Sequence, residues 1–450
     1  MRTQSGREES MTTLTPKRKI VAVHSGARDA YQVARALEEG GRLEALVTDL
    51  FWSGEAKSAG LAASLIPSSL RQQLMARSAP DVPASRVKSL TAPGLLTLLL
   101  EKWKRAPFAW KRSVARWTDE KLGTAAGQLA QKRGAALLSY SYYGYSAFSH
   151  FQSDAPSLLF QLHPHPASMR KILAGELEKH PDCAASLKQE WELSLPESDY
   201  QRLVAETIMP RAWLAASSFT KRTLVENGVP SNHVHVVPYG VDLERFRPAS
   251  RPVPIDRTLR LLFVGRINQR KGVKYLLEAL RLLPGRHVEI TVCGRVLDDL
   301  RLFEPYRSQV TIRPSVSHRE LVEAYQSADL FVFPSVAEGF GHVLLESMAC
   351  GLPVLSTTAT AATDLVTNGK DGFVVDPGSA VQLAERIEWA LSNRRQLRGM
   401  KAAARQKAEQ FTWQRFRRGV RDVVARYCDV PEMEEPEMSF ETEQEIEIAR

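Results

Sequence analysis

Short runs of almost unbroken apolar residues alternate with helix-length stretches from one end of this chain to the other. The first series is KIVAVHSG (19–26), LEALVTDLF (43–51), AALLSYSYYG (135–144), SLLFQLHP (157–164), AWLAASSF (212–219) and HVHVVPYG (233–240). The second is LRLLFVGR (259–266), VEITVCG (288–294), VTIRPSV (310–316), DLFVFPSV (329–336), LPVLSTTA (352–359) and GFVVDP (372–377). A strand that is apolar along its whole length is covered on both faces, which is the condition of a parallel sheet flanked by helices. The two series are separated by DLERFRPASRPVPIDRT (242–258), which is rich in proline and arginine and has no periodicity. The pattern therefore predicts an α/β protein of two doubly wound, Rossmann-like domains, residues 17–245 and 257–411, facing each other across a cleft. A last helical stretch covers 412–428. Residues 1–16 and 429–450 read as disordered; the tail after Cys428 holds nine acids and one arginine. Ligands of such domains bind at the carboxyl ends of the strands.

Several function classes are disfavoured. The four cysteines, Cys183, Cys293, Cys350 and Cys428, are far apart and form no CxxC, so neither a zinc knuckle nor a disulfide framework is indicated. No run of about 18 apolar residues is present, and the N-terminus MRTQSGREESMTTLTPKRK lacks an apolar signal core. A cytoplasmic setting is expected. The dinucleotide fingerprint GxGxxG and the phosphate loop GxxxxGK[ST] are both absent. No Asp-x-Asp occurs, and Asp298–Asp299 is the only adjacent pair, so no metal and no cofactor are expected. The net charge of +9 invites a nucleic-acid partner, but no binding motif or basic aromatic sheet supports one.

Within residues 51–122 there are 12 Lys+Arg against 5 Asp+Glu. The stretch 95–118, LLTLLLEKWKRAPFAWKRSVARW, mixes leucines and tryptophans with cations. Two readings fit it: a peripheral contact with an anionic membrane, or an amphipathic helix packed on the first domain.

Two loops carry the chemistry. In FVGRINQRKGVKYLLEAL (263–280), Arg266 and Lys271 stand near a helix start that follows a strand, an arrangement suited to a phosphate-rich anion. In EGFGHVLLE (338–346), Glu338 falls in the loop after a strand, and Gly339 and Gly341 let the backbone approach a ligand. Glu346 lies about a turn and a half into the next helix, which ends at Gly351.

EGFGHVLLESMACGLPV resembles the Glu-x7-Glu motif of retaining GT-B glycosyltransferases of family GT4. ASSFTKRTLVENGVPSNHVHVVPYGVDLERFRP (216–248), FVGRINQRKGVKYLLEAL and TTATAATDLVTNGKDGFVVDPGS (357–379) are similar to the same family in the same order. The resemblance implies a GT-B fold whose C-terminal domain binds the nucleotide-sugar donor and whose last helix crosses back to the N-terminal domain, the acceptor side. It implies that Arg266 and Lys271 hold the donor diphosphate and Glu346 the ribose. Glu338 would contact the transferred sugar, with Phe340 and Gly341 lining the pocket, and Val292, Cys293 and Gly294 would lie beside the base. Asp364 stands where the family usually has Glu. His163, after the SLLFQL strand, matches a family histidine that faces the donor sugar, while His165 and His24 are further candidates. Gly26 stands alone where the family often has Gly-Gly, at the acceptor and phosphate loop. The expected activity is metal-independent, retaining hexosyl transfer from a nucleoside diphosphate sugar to a glycan, lipid-linked or small-molecule hydroxyl. A nucleotide-sugar epimerase and a silent GT-B scaffold are the alternatives.

Overall fold

The computed structural model describes residues 17–52, 75, 77–103, 105–250, 257–285 and 287–429, without the side chains of Glu101 and Lys102. Of residues 1–16 and 429–450, which the sequence reads as disordered, Asp429 caps the last helix and the others lie outside the described residues.

The first sheet is built from β1 (Ile20–Val23), β2 (Leu43–Thr48), β3 (Val87–Ser89), β4 (Ala136–Tyr140), β5 (Ser157–Gln161), β6 (Ala212–Ala215) and β7 (Val234–Val236). Its spatial order is β3-β2-β1-β4-β5-β6-β7 and every pairing is parallel. The second contains β8 (Leu259–Val264), β9 (Val288–Cys293), β10 (Val310–Arg313), β11 (Leu330–Phe333), β12 (Val354–Thr357) and β13 (Gly372–Val375). It runs β10-β9-β8-β11-β12-β13, again all parallel. β1, β4 and β11 are buried at every position, because helices cover both faces, and this produces the unbroken apolar runs. The short β3 has no such run: it is a partly exposed edge strand, paired on one side only.

In both sheets the order reverses beside the first strand, between β1 and β4 and between β8 and β11. A crevice opens at these switch points, outside the carboxyl ends of the strands. The loops that follow β8 and β11 flank it in one domain, and those that follow β1 and β4 flank it in the other.

The chain then returns to the first domain. Helix Trp413–Cys428 is capped by the Thr412 side chain and packs against helix Gln32–Glu39. Arg417 donates to Gln32 (2.7 Å) and pairs with Glu39 (2.7 Å), which Arg421 also engages, and Asp429 pairs with Arg42. Tyr239, after β7, stacks on Phe416 of this helix at 5.2 Å and meets Phe340 of the second domain edge-on at 5.2 Å. The two domains thus share one aromatic hub at the hinge.

Candidate active site

The turn after β8 is shaped from within. The Asn268 side chain accepts the Lys271 N–H (3.2 Å) and caps the 3-10 turn Gln269–Lys271. This directs two cations inward, and Arg270 and Lys271 are each only 8% exposed. Arg270 donates through Nη1 to Glu338 (3.0 Å) and to the Ala337 carbonyl (3.1 Å). Lys271 Nζ also bonds to Glu338 and sits over the Phe333 ring at 4.8 Å. Burial, more than any neighbour, holds the Lys271 ammonium well below its usual range, and Arg270 and Arg266 push the same way against Glu190. A buried ammonium beside two guanidinium groups favours any further anion brought to it. Arg266 is exposed and makes no hydrogen bond or ion pair among the described residues.

The loop after β11 supplies the carboxylate. The Glu338 N–H donates to the Ala359 carbonyl (2.9 Å), while its side chain bridges Arg270 and Lys271. The next residue touches the other domain: a Cβ on Gly339 would lie 1.8 Å from the Leu162 carbonyl oxygen. Ser217 and Thr220 of the first domain both donate to the Gly339 carbonyl. Glu190, from the segment between β5 and β6, accepts from Asn268 (2.9 Å) and from Arg270 Nε (3.0 Å). The site is therefore a junction of both domains.

Phe340 is buried against Tyr239, and its carbonyl accepts the Ala361 N–H (3.3 Å). Gly341 precedes helix His342–Ala349 in the left-handed region, at φ +83°. Glu346 is one and a half turns along that helix and accepts the Tyr325 hydroxyl (2.9 Å) on Oε2. Burial raises its pKa against the opposing effects of Tyr325 and Arg245. Gly294, after β9, has φ +145° and lies directly under Gly265, so that a Cβ would be 1.9 Å from the Gly265 carbonyl oxygen. Only glycine lets the two turns meet there. Asp364 accepts the Ser218 N–H (2.8 Å) and hydroxyl, tying the domains together.

On the facing wall, half-buried His163 follows β5, and Gln161 donates to its carbonyl (2.9 Å). Its pKa is driven down to about 3, by burial first and then by Arg28, Arg270, Lys271 and Arg266. The charges that lower it come from both domains. His165 instead is a structural residue: Nδ1 accepts the Ala167 N–H (3.1 Å) and Nε2 bonds Thr207 (2.9 Å). His24 is fully buried between Tyr31 and Tyr140. Gly26, at φ +67°, donates its N–H to Asp49 (2.7 Å), which Arg77 also holds (2.7 Å).

The structure thus joins Lys271, Glu338 and Gly339 to the backbone at His163, while Gly26 and Glu346 bond elsewhere, to Asp49 and Tyr325. Three participants escape sequence reasoning. Arg270 could have been suspected from its place beside Lys271. Arg28, which opens the 3-10 turn Arg28–Tyr31 and whose charge bears on His163, and Glu190 carry no sequence signal, since only the fold defines where they lie. Among the described residues, no three His, Cys, Asp or Glu side chains form a metal-ligating group.

Residues 249–407 match the family model described as Glycosyl transferases group 1. The match falls on the second domain and covers 159 of the 450 residues. D-inositol 3-phosphate glycosyltransferase of Arthrobacter sp. (strain FB24) is 36% identical over 203 residues, 41% of this chain and 48% of that protein. The protein of the same name from Mycolicibacterium smegmatis is 32% identical over 203 residues, 40% and 45% of the two chains. The chain spans about half the length of the curated relatives it matches. Among solved structures, sucrose-phosphate synthase from Thermosynechococcus elongatus superposes with a TM-score of 0.64 at 18% identity, covering 91% of this chain and 99% of that one. Anabaena HepE in complex with UDP-glucose gives 0.56 at 17% identity, over 91% and 100%. These likenesses show the fold: the two domains form the GT-B arrangement.

Proposed function

We propose that the chain is a metal-independent, retaining glycosyltransferase that moves a hexose from a nucleoside diphosphate sugar to an acceptor hydroxyl. The observation that carries this reading is the Arg270–Lys271–Glu338 cluster at the switch point of the group 1 domain, facing His163. Arg266, free of ion pairs among the described residues, and Lys271 receive the diphosphate. Glu338, fixed by two cations, presents an oriented acceptor to a hydroxyl of the hexose. Glu346 has one oxygen bonded to Tyr325, and its other oxygen serves the ribose. His163, held neutral, meets the sugar as a hydrogen-bond partner and adds no positive charge to the crowded cradle.

In the transfer, the acceptor oxygen bonds to the anomeric carbon as the bond from that carbon to the diphosphate breaks. The electron pair leaves on the phosphate, which takes the acceptor proton. The cations of the β8 turn stabilise the charge that develops there, and they are in position before it forms. Support for the donor class comes from HepE, whose complex holds UDP-glucose, and from the curated relatives named as glycosyltransferases.

The same reading includes a membrane face. Helix Thr91–Lys102 and helix Phe108–Arg133 form a hairpin on which Leu95, Leu96, Leu99, Trp103, Phe108, Trp110 and Trp117 are exposed. Arg105, Lys111, Arg112 and Arg116 stand among them, a pairing that suits an anionic lipid surface. No helix among the described residues is long and apolar enough to cross a membrane.

Incubation with a panel of nucleoside diphosphate hexoses and hydroxylated acceptors, followed by proton NMR, tests the activity. Acceptor-dependent release of nucleoside diphosphate with the donor's anomeric configuration kept in the product is expected. Turnover of donor without acceptor would identify an epimerase, and no turnover of any donor a silent scaffold.

A further inference from the structure

A cavity of about 210 Å³ lies beside the cleft, walled by Trp117, Tyr142, Tyr145, Trp191, Asp119 and Glu206. Its parts come from the long helix Phe108–Arg133, the turn after β4 and the segment between β5 and β6. All three lie outside the 249–407 match.

Tyr142 is the key residue. Its φ of +82° is a conformation that a tyrosine rarely holds. The turn is clamped by Glu206, 1% exposed, whose carboxyl accepts the N–H groups of Tyr142 (2.8 Å) and Tyr145 (3.3 Å). Strain that is over-determined in this way gathers at functional sites. The clamp places the Tyr142 ring edge-on to His163 at 5.5 Å and against Trp191 at 5.8 Å. Tyr142 thus lines the cavity and at the same time neighbours His163.

We propose that this cavity is the acceptor subsite and takes one neutral polyol ring, a sugar or a cyclitol. The inference rests on the glycosyl-transfer reading above. Tyr142, Tyr145 and Trp191 wall the cavity with aromatic surface for a ring to pack on, Trp191 carrying Arg112 over its ring at 5.3 Å, and Asp119 and Glu120 are the carboxyls that accept its hydroxyl hydrogen bonds. A phosphorylated ring is disfavoured because both lining cations are engaged, Arg116 by Asp199 and Arg202 over the Tyr145 ring at 5.5 Å. A hydroxyl of the ring reaches past Tyr142 toward His163. There its oxygen forms the bond to the anomeric carbon, the diphosphate departs with the electron pair, and the hydroxyl proton passes to the leaving phosphate.

The test uses the full chain and saturation-transfer NMR, with UDP or GDP present. The probes are methyl α-D-glucopyranoside, methyl α-D-mannopyranoside, myo-inositol and myo-inositol monophosphate. Nucleotide affinity is measured in parallel. Tyr142→Gly suits the backbone and removes the ring; Trp191→Ala is a second variant on a different element. At least one neutral ring is expected to bind wild type, and its affinity to fall about tenfold in each variant, with nucleotide affinity unchanged. Nucleotide binding without any neutral ring, equal ring binding in wild type and both variants, or preference for the phosphorylated ring overturns the subsite and spares the donor reading. Failure of wild type to bind either nucleotide overturns the transferase reading and the subsite with it.

Discussion

Gly339 shows how much a single residue decides here. The EGFG loop can bring Glu338 to the cations only because its neighbour has no Cβ where Leu162 of the other domain arrives. Gly339→Ala should cost about 1–3 kcal/mol through forced separation, and small-angle scattering should show a larger radius of gyration with both domains still folded. Lys271→Ala should lower kcat/KM by about 10²–10³, the scale on which preorganised charge acts, as steady-state assays with the productive donor can check. His165 gives a pH signature. Burial lowers its pKa to about 4, so below its unfolded value of about 6.5 the unfolded chain binds the proton first. Its contribution is complete above about 6.5 and is lost as pH falls toward 4, a loss on the order of 3 kcal/mol. Denaturant titrations of His165→Gln should show a smaller decline over that window than wild type. At this scale the sequence was partly legible. Lys271 and Glu338 announce themselves by charge in glycine loops, whereas Arg270 anchors Glu338 only because Asn268 caps its turn.

At the scale of elements, apolar runs reveal a strand when both faces are covered. That is why β1, β4, β8 and β11 could be read directly, while β3, a partly exposed edge strand, could not. The turn after β4 is a different case. Nothing in the run of tyrosines SYSYYGYSAF (139–148) singles one out, yet Tyr142 lines a cavity, and its turn is held by Glu206, a residue 64 positions away. The hairpin formed by Thr91–Lys102 and Phe108–Arg133 was visible as an aromatic and cationic stretch, and the structure leaves its large side chains exposed. Full-length protein should co-sediment with phosphatidylglycerol vesicles at low salt and much less with phosphatidylcholine. The double variant Trp103→Ser, Trp110→Ser should sediment weakly with either. Equal behaviour of the two proteins would remove the hairpin from the interface.

Across the whole molecule, two reversals of strand order face each other, and the closing helix together with Tyr239 holds them in register. Neither domain owns the site. Glu190 and His163 come from one, Arg270, Lys271 and Glu338 from the other, so the constellation exists only when the domains meet. The two-domain plan was legible because each series of strands repeats the same pattern. The meeting was not, since interdomain pairs such as Glu190 with Arg270 join residues 80 positions apart. The central claim is that the β8 turn is a diphosphate cradle, and titration calorimetry of UDP and GDP into wild type, Lys271→Ala and Arg266→Ala tests it directly. The account predicts that one nucleotide binds wild type and that each variant binds it at least tenfold more weakly. Undiminished binding to both variants, or no binding to wild type, would contradict it.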